Sequence, residues 1–281
     1  MLLLSCFGRK REGGNGCKSL KKKKEVTMKK FVLILCAVLS FLVISSANAA
    51  TSYVGVWGER FDLNVINNFY NTLPDVSSST LGGTLDTVDL SGISLLWAVQ
   101  PADSYTAAEI STMQSFLTGG GRIAFMGEHG NYAPDENARI TAAIAALGGH
   151  ISINTDYPDA GYRDATRANG QILDHPLTAG VNTYNYACFA SLNLSGPAQK
   201  LMLGSNLSDV MMAYENIGDG SIFVITDQNV WDNVYATNND NKVMFENLLL
   251  AQTHPIPIPA AAWLLGSGLV GILGLRRKLV K

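Results

Sequence analysis

Glu128 and His129 sit two and three residues beyond the apolar run Arg122 to Met126, and Asp227 directly follows another such run, Ser221 to Thr226. If those runs are parallel strands, the three residues lie outside the strands' carboxyl ends, where open α/β sheets bind ligands. A carboxylate beside an imidazole supplies an acid and a base, and a second carboxylate would complete the pair that hydrolyses glycosidic bonds; amide or ester hydrolysis is equally open. Glu59 follows the run Ser52 to Trp57, Gln100 follows Ile93 to Val99, and Asn229 and Trp231 trail Asp227, which makes these four the ligand-binding candidates. Tyr132, Tyr157, Tyr162 and Trp231 add loop aromatics suited to stacking on sugar rings. Every strand is followed by a polar loop, so each residue alone reads as an ordinary loop residue, and only convergence would make a site.

No metal or cofactor motif accompanies them. His129, His150, His175 and His254 lack zinc-ligand spacing, and Asp227 to Asn233 places Trp231 where a calcium loop needs oxygen. Cys188 falls in the apolar stretch Tyr184 to Leu194 and reads as a buried core residue rather than a nucleophile. Cys6, Cys17 and Cys36 precede residue 50, so the segment that follows has one cysteine and no internal disulfide.

The elements that must position these residues alternate. Ser52 to Trp57 is a short strand, and Asp62 is placed to cap a helix through Leu73 with Leu63, Ile66, Phe69 and Tyr70 on one face. Ile93 to Val99 is apolar nearly throughout, as a strand buried on both faces should be. Thr106 and Glu109 form a capping box for a helix to Leu117, which Gly119, Gly120 and Gly121 end. Arg122 to Met126 is a further buried strand, Glu136 to Leu147 a helix, and His150 to Asn154 a fifth strand. This βαβαβ order predicts an α/β fold, a mostly parallel sheet flanked by helices. Residues 155 to 185, rich in Asp, Asn, Gly and Pro, predict a long surface excursion. Strands follow at Lys200 to Leu203, Val210 to Tyr214 and Ser221 to Thr226, the last two joined as a hairpin through Gly218, Asp219 and Gly220, and a helix from Asn241 to Ala251 closes the domain at 50–252.

Both ends of the chain read as address labels. Met28, Lys29 and Lys30 open a basic segment, Phe31 to Ile44 is apolar, and Ala47-Asn-Ala49 is a small-x-small cleavage site, together a secretory signal peptide over 28–49 that implies the Sec translocon and signal peptidase. Residues 1–27, with Lys21 to Lys24, read as an upstream misassigned start or as a basic extension. At the other end, Pro255, Pro257 and Pro259 precede Ala260 to Leu275, which is free of charge, and Arg276, Arg277 and Lys278 follow. That order predicts one C-terminal transmembrane helix over 260–275, Trp263 near an interface and the basic end cytoplasmic. A buried C-terminal helix is the alternative, which Gly266, Gly268, Gly271 and Gly274 disfavour. With both ends set aside, residues 50–255 hold seven Lys or Arg against 21 Asp or Glu, a net charge of −14, where the whole chain has −2. So acidic a domain argues against nucleic acid and anionic lipid surfaces as partners.

The tail, Pro255-Ile-Pro-Ile-Pro-Ala-Ala-Ala-Trp263-Leu-Leu-Gly266-Ser-Gly268-Leu with its Arg end, resembles the PEP-CTERM class of sorting signals in its Pro-Leu-Pro-Ala-like variant. It departs from the commonest form in having Ile258 where that form has Glu. The resemblance implies recognition by an exosortase in Gram-negative bacteria that make exopolysaccharide. It implies anchoring in the inner membrane by the C-terminal helix before processing, then a place at the cell surface or in the extracellular matrix. Across residues 52–251, the stretches Leu95 to Pro101 with Thr106 to Phe116, Gly119 to Glu128, His175 to Val181 and Gly220 to Asp227 resemble the class I glutamine amidotransferase-like superfamily. That implies a flavodoxin-like fold. Where amidotransferases carry a Gly-x-Cys-x-Gly nucleophile elbow, this chain has Gly127-Glu128-His129-Gly130, so the glutaminase reaction lacks its nucleophile there. The reading that results is a non-catalytic exported protein whose acidic domain binds a ligand or polymer; the alternative is an extracellular hydrolase using Glu128, His129 and Asp227.

Overall fold

The structure is a computed structural model that describes residues 51–231 and 235–251. The signal peptide, the expected helix 260–275 and the sorting residues Pro255 to Arg277 lie outside the described residues, among which no helix is long and apolar enough to cross a membrane.

Five parallel strands form the heart of the sheet. β1 (Ser52–Gly58), β2 (Val76–Thr80), β3 (Ile93–Val99), β4 (Arg122–Met126) and β11 (Gly220–Ile225) stand in the order β2-β1-β3-β4-β11, a doubly wound arrangement. β10 (Val210–Ile217) turns antiparallel on β11, and β8 (Leu192–Leu194), β9 (Gln199–Leu203) and β5 (Ile151–Ile153) complete that side. Gly218, at φ +60°, opens the two-residue turn between Ile217 and Gly220, a backbone state that glycine adopts without strain.

Side-chain alternation splits the core into two layers. Leu95, Trp97 and Val99 of β3 face α1 (Asn64–Tyr70) and α4 (Asn241–Leu250), where Ile66, Phe69, Tyr70 and Phe245 are buried. Leu96 and Ala98 face the other way, onto Met113, Phe116 and Leu117 of α2 (Ala107–Thr118) and Ile140 and Ile144 of α3 (Pro134–Ala146). The capping box of α2 forms as its residues predict: Thr106 Oγ1 accepts from the Glu109 N–H at 3.2 Å, and Glu109 Oε2 accepts from the Thr106 N–H at 2.8 Å.

Four expectations need correction. α1 is shorter than Asp62 to Leu73, with Leu63 at its N-cap, although Asp62 Oδ1 still accepts from the Asn64 N–H at 3.0 Å. β2 was missed because Val76-Ser-Ser-Ser-Thr80 is a polar edge strand in which only Ser78 is buried, so no hydrophobic alternation marks it. The strand at 151–153 is not the next parallel neighbour of β4. It lies at the far edge, antiparallel to β8, and β11 fills the place beside β4. Finally, residues 155–185 are not only a surface excursion. β6 (Arg163–Thr166) pairs with β7 (Thr183–Tyr186), and Ala165, Ile172, Leu177, Val181 and Tyr184 enter the core. Polar residues serve the backbone of this segment: Arg167 within it donates to the Val181 and Thr178 carbonyls, and Asp240, just before α4, accepts through Oδ2 from the Asn182 and Thr183 N–H groups.

Candidate functional site

The carboxyl end of β4 continues into Gly127, Glu128 and His129, and α3 holds that corner through one side chain. Asn137 Oδ1 accepts from the Glu128 N–H at 3.1 Å and its Nδ2 donates to the Glu128 carbonyl at 2.5 Å. Gly127 makes the clamp possible, since a Cβ at 127 would fall on Asn137 Oδ1. Glu128 is 1% exposed. Its Oε1 accepts from the His129 N–H and its Oε2 from the Gln228 N–H, both at 2.8 Å, so the carboxylate ties the loop after β4 to the loop after β11.

His129 Nε2 lies 3.9 Å from Glu128 Oε1. The imidazole is flanked by Tyr157, 4.4 Å between ring centroids, and by Tyr132 at 6.0 Å. Both tyrosines are exposed. Nδ1 of His129 is enclosed and has no hydrogen-bond partner among the described residues. Burial pushes the pKa of this histidine below its ordinary value, which favours the neutral ring.

The third member comes from a part of the chain that sequence reading assigned to the core. Cys188 Sγ, an imidazole nitrogen of His129 and a carboxylate oxygen of Glu128 all lie within 4.8 Å of one another. Cys188 is buried, and Asn229 Nδ2 approaches its sulfur at 3.9 Å. Burial, then the nearby Glu128 and Asp227 carboxylates, push the thiol up to about 11. A thiol so placed stays protonated at neutral pH beside a neutral imidazole, the reverse of an activated nucleophile.

Asp227 is fully buried, and its carboxylate holds backbone on two loops. Its Oδ2 accepts from the Ala187 N–H at 2.7 Å and its Oδ1 from the Asn229 N–H at 3.0 Å, which fixes the backbone next to Cys188. Gln100, with φ +36° and 1% exposure, donates its N–H to the Met126 carbonyl and its Nε2 to Gln228 Oε1. It seals the strand ends and presents no surface for a ligand. Glu59 remains at the surface, where Oε2 accepts from the Ala102 N–H at 2.7 Å. Trp231 corrects the expectation most sharply. It is 1% exposed and packs against Trp97 at 5.2 Å and Phe245 at 4.2 Å, so it is a core residue and no sugar platform.

Sequence reading named Glu128 and His129, gave Cys188 to the core, and did not single out Asn137 and Gln228, which join them at this corner. The lack of zinc-like spacing among the histidines spoke only for ligands close in sequence. A lone cysteine in an apolar stretch carries no local signal for such a role.

No family model and no curated protein matches the chain. Solved structures do. The mmIFT52 N-terminal domain is similar with a TM-score of 0.56 and 18% identity, over 71% of this chain and 99% of that one. A cytoplasmic protein of Salmonella typhimurium LT2 is similar at 0.52 and 11%, over 70% and 98%, and another from Salmonella typhimurium at 0.51 and 10%, over 70% and 97%. At such identities the likeness is one of fold, a mixed α/β domain with a mostly parallel central sheet flanked by helices.

Proposed function

We propose that this chain is an exported, exosortase-sorted envelope or extracellular-matrix protein whose acidic, amidotransferase-like α/β domain binds a polar polymer such as exopolysaccharide without cleaving it. The doubly wound strand order supports a flavodoxin-like assignment. The observation that carries the binding reading is the corner after β4, where the exposed Tyr132 and Tyr157 both neighbour His129, next to the buried Glu128. Exposed aromatic rings beside fixed polar groups suit the apolar faces and hydroxyls of sugars. Hydrolysis by paired carboxylates is disfavoured, because Glu128 and Asp227 are buried and each accepts two backbone N–H groups that hold loops in place.

Two experiments test this. Mass spectrometry of the C-terminus from cells with and without exosortase should show loss of the Arg276-Arg277-Lys278 end only when the enzyme is present; an intact end in both sinks the sorting reading. Sedimentation of the protein with exopolysaccharide from the producing cells should detect binding, and Tyr132→Ala with Tyr157→Ala should weaken it at least about tenfold, the scale of one or two lost stacking contacts. Unchanged binding in the double variant would remove the corner after β4 from the function.

A further inference from the structure

We infer that Cys188, His129 and Glu128 form a three-ligand site for a soft or borderline divalent cation, Zn2+ above all, with a fourth position left for water or a ligand oxygen. This deepens the binding reading of the same corner and is independent of how the chain is exported. The three donor atoms, from two loops, lie within 4.8 Å of one another, with Nε2 of His129 and Oε1 of Glu128 at 3.9 Å. Bond lengths of about 2.0–2.3 Å place the ligands of a tetrahedral zinc about 3.3–3.8 Å apart. At most about 1.5 Å separates the observed donor spacing from that one.

The donor set selects the metal. A thiolate with an imidazole suits Zn2+ and its neighbours and is a poor match for Ca2+ or Mg2+, which take oxygen ligands. Three protein ligands are the number found where zinc keeps an open position. The surroundings are those of a built site. Glu128 accepts one N–H on each oxygen, which orients the carboxylate. Asn137 locks the Glu128 backbone, and Asp227 holds the chain at Ala187, next to Cys188. On binding, the thiol proton leaves to solvent and the thiolate sulfur takes the metal.

The test uses the full chain, purified in detergent with a non-thiol reductant and stripped by a chelator, then titrated with Co2+ and back-titrated with Zn2+. One equivalent of Co2+ should bind with a near-ultraviolet thiolate-to-cobalt band that Zn2+ displaces. The band should vanish in Cys188→Ser, and His129→Ala should weaken binding at least about tenfold. A chain with Cys6, Cys17 and Cys36 all changed to Ser should keep the band, which decides the matter even if Cys188→Ser fails to fold. No saturable band in the parent chain, or its loss in the triple variant, overturns the inference. Sedimentation with exopolysaccharide, with and without chelator, separates the two readings: polymer binding without any cobalt band sinks the metal site alone, and a cobalt band without polymer binding sinks the polymer reading alone.

Discussion

The two ends of β4 carry buried charges of opposite sign and put them to different uses. At the amino end, Arg122 lies beneath the C-terminus of α4. Its guanidinium donates to the Leu248 and Ala251 carbonyls and to Ser221 Oγ, and it stands over the Tyr214 ring at 5.9 Å. A cation there answers the helix's orphan carbonyls and its dipole, so the charge is consumed by architecture. At the carboxyl end, Glu128 also joins loops, yet it sits beside an imidazole whose Nδ1 has no hydrogen-bond partner among the described residues, and beside a thiol. The difference teaches that burial and charge do not identify a site. What marks the corner is that carboxylate, imidazole and thiol donors from two loops come within 4.8 Å of one another.

The largest expected effect tests where the carboxyl end stops being site and becomes core. Trp231→Ala should destabilise the domain by about 3–5 kcal/mol in urea denaturation, the usual loss for a buried aromatic. A change within about 0.5 kcal/mol would restore Trp231 to the surface. At the amino end, Arg122→Met keeps the apolar stem and leaves two carbonyls of α4 unanswered, so about 2–3 kcal/mol should be lost, with α4 amides exchanging faster than those of β3. Asp227→Asn should cost about 1–2 kcal/mol by weakening two charge-assisted bonds; full stability together with loss of function would instead mark Asp227 as an acid or base. His129→Ala should be the mildest, under about 1 kcal/mol, while weakening metal binding at the corner at least about tenfold.

A pH series sharpens the same contrast. His175 stands in Arg122's neighbourhood, with its ring 4.9 Å from that of Tyr214, and its Nδ1 accepts from the Leu177 N–H at 3.1 Å. Burial first, and then the Arg122 charge, hold its pKa below the ordinary 6.5. The unfolded chain therefore binds the extra proton more readily, and stability from this group is complete above about pH 6.5 and lost as pH falls toward the depressed folded value. The urea midpoint should drop on acidification below that point, and His175→Asn, which keeps an acceptor for Leu177, should flatten that part of the profile. An unchanged profile would detach His175 from the amino-end structure.

Much of the fold was legible because burial writes itself into short runs. Ile93 to Val99 and Arg122 to Met126 are apolar enough to be central parallel strands, and the Thr106 and Glu109 box marks a helix start that forms as written. β2 was not legible, since an edge strand of three serines buries almost nothing. Nor was the inward half of 155–185, where single apolar residues such as Ile172 and Leu177 are spaced by polar ones with no period.

By itself the sequence determined the α/β class, the central strands and the placing of Glu128 and His129 at a strand's carboxyl end, because hydrophobic periodicity and turn chemistry are local and act within a few residues. Only the tertiary structure decided that Trp231 belongs to the core, that Asp227 braces a loop and that Cys188 reaches Glu128 and His129. Those outcomes depend on which strands become neighbours, and strand order is set by packing the whole sheet against its helices rather than by any segment's own composition.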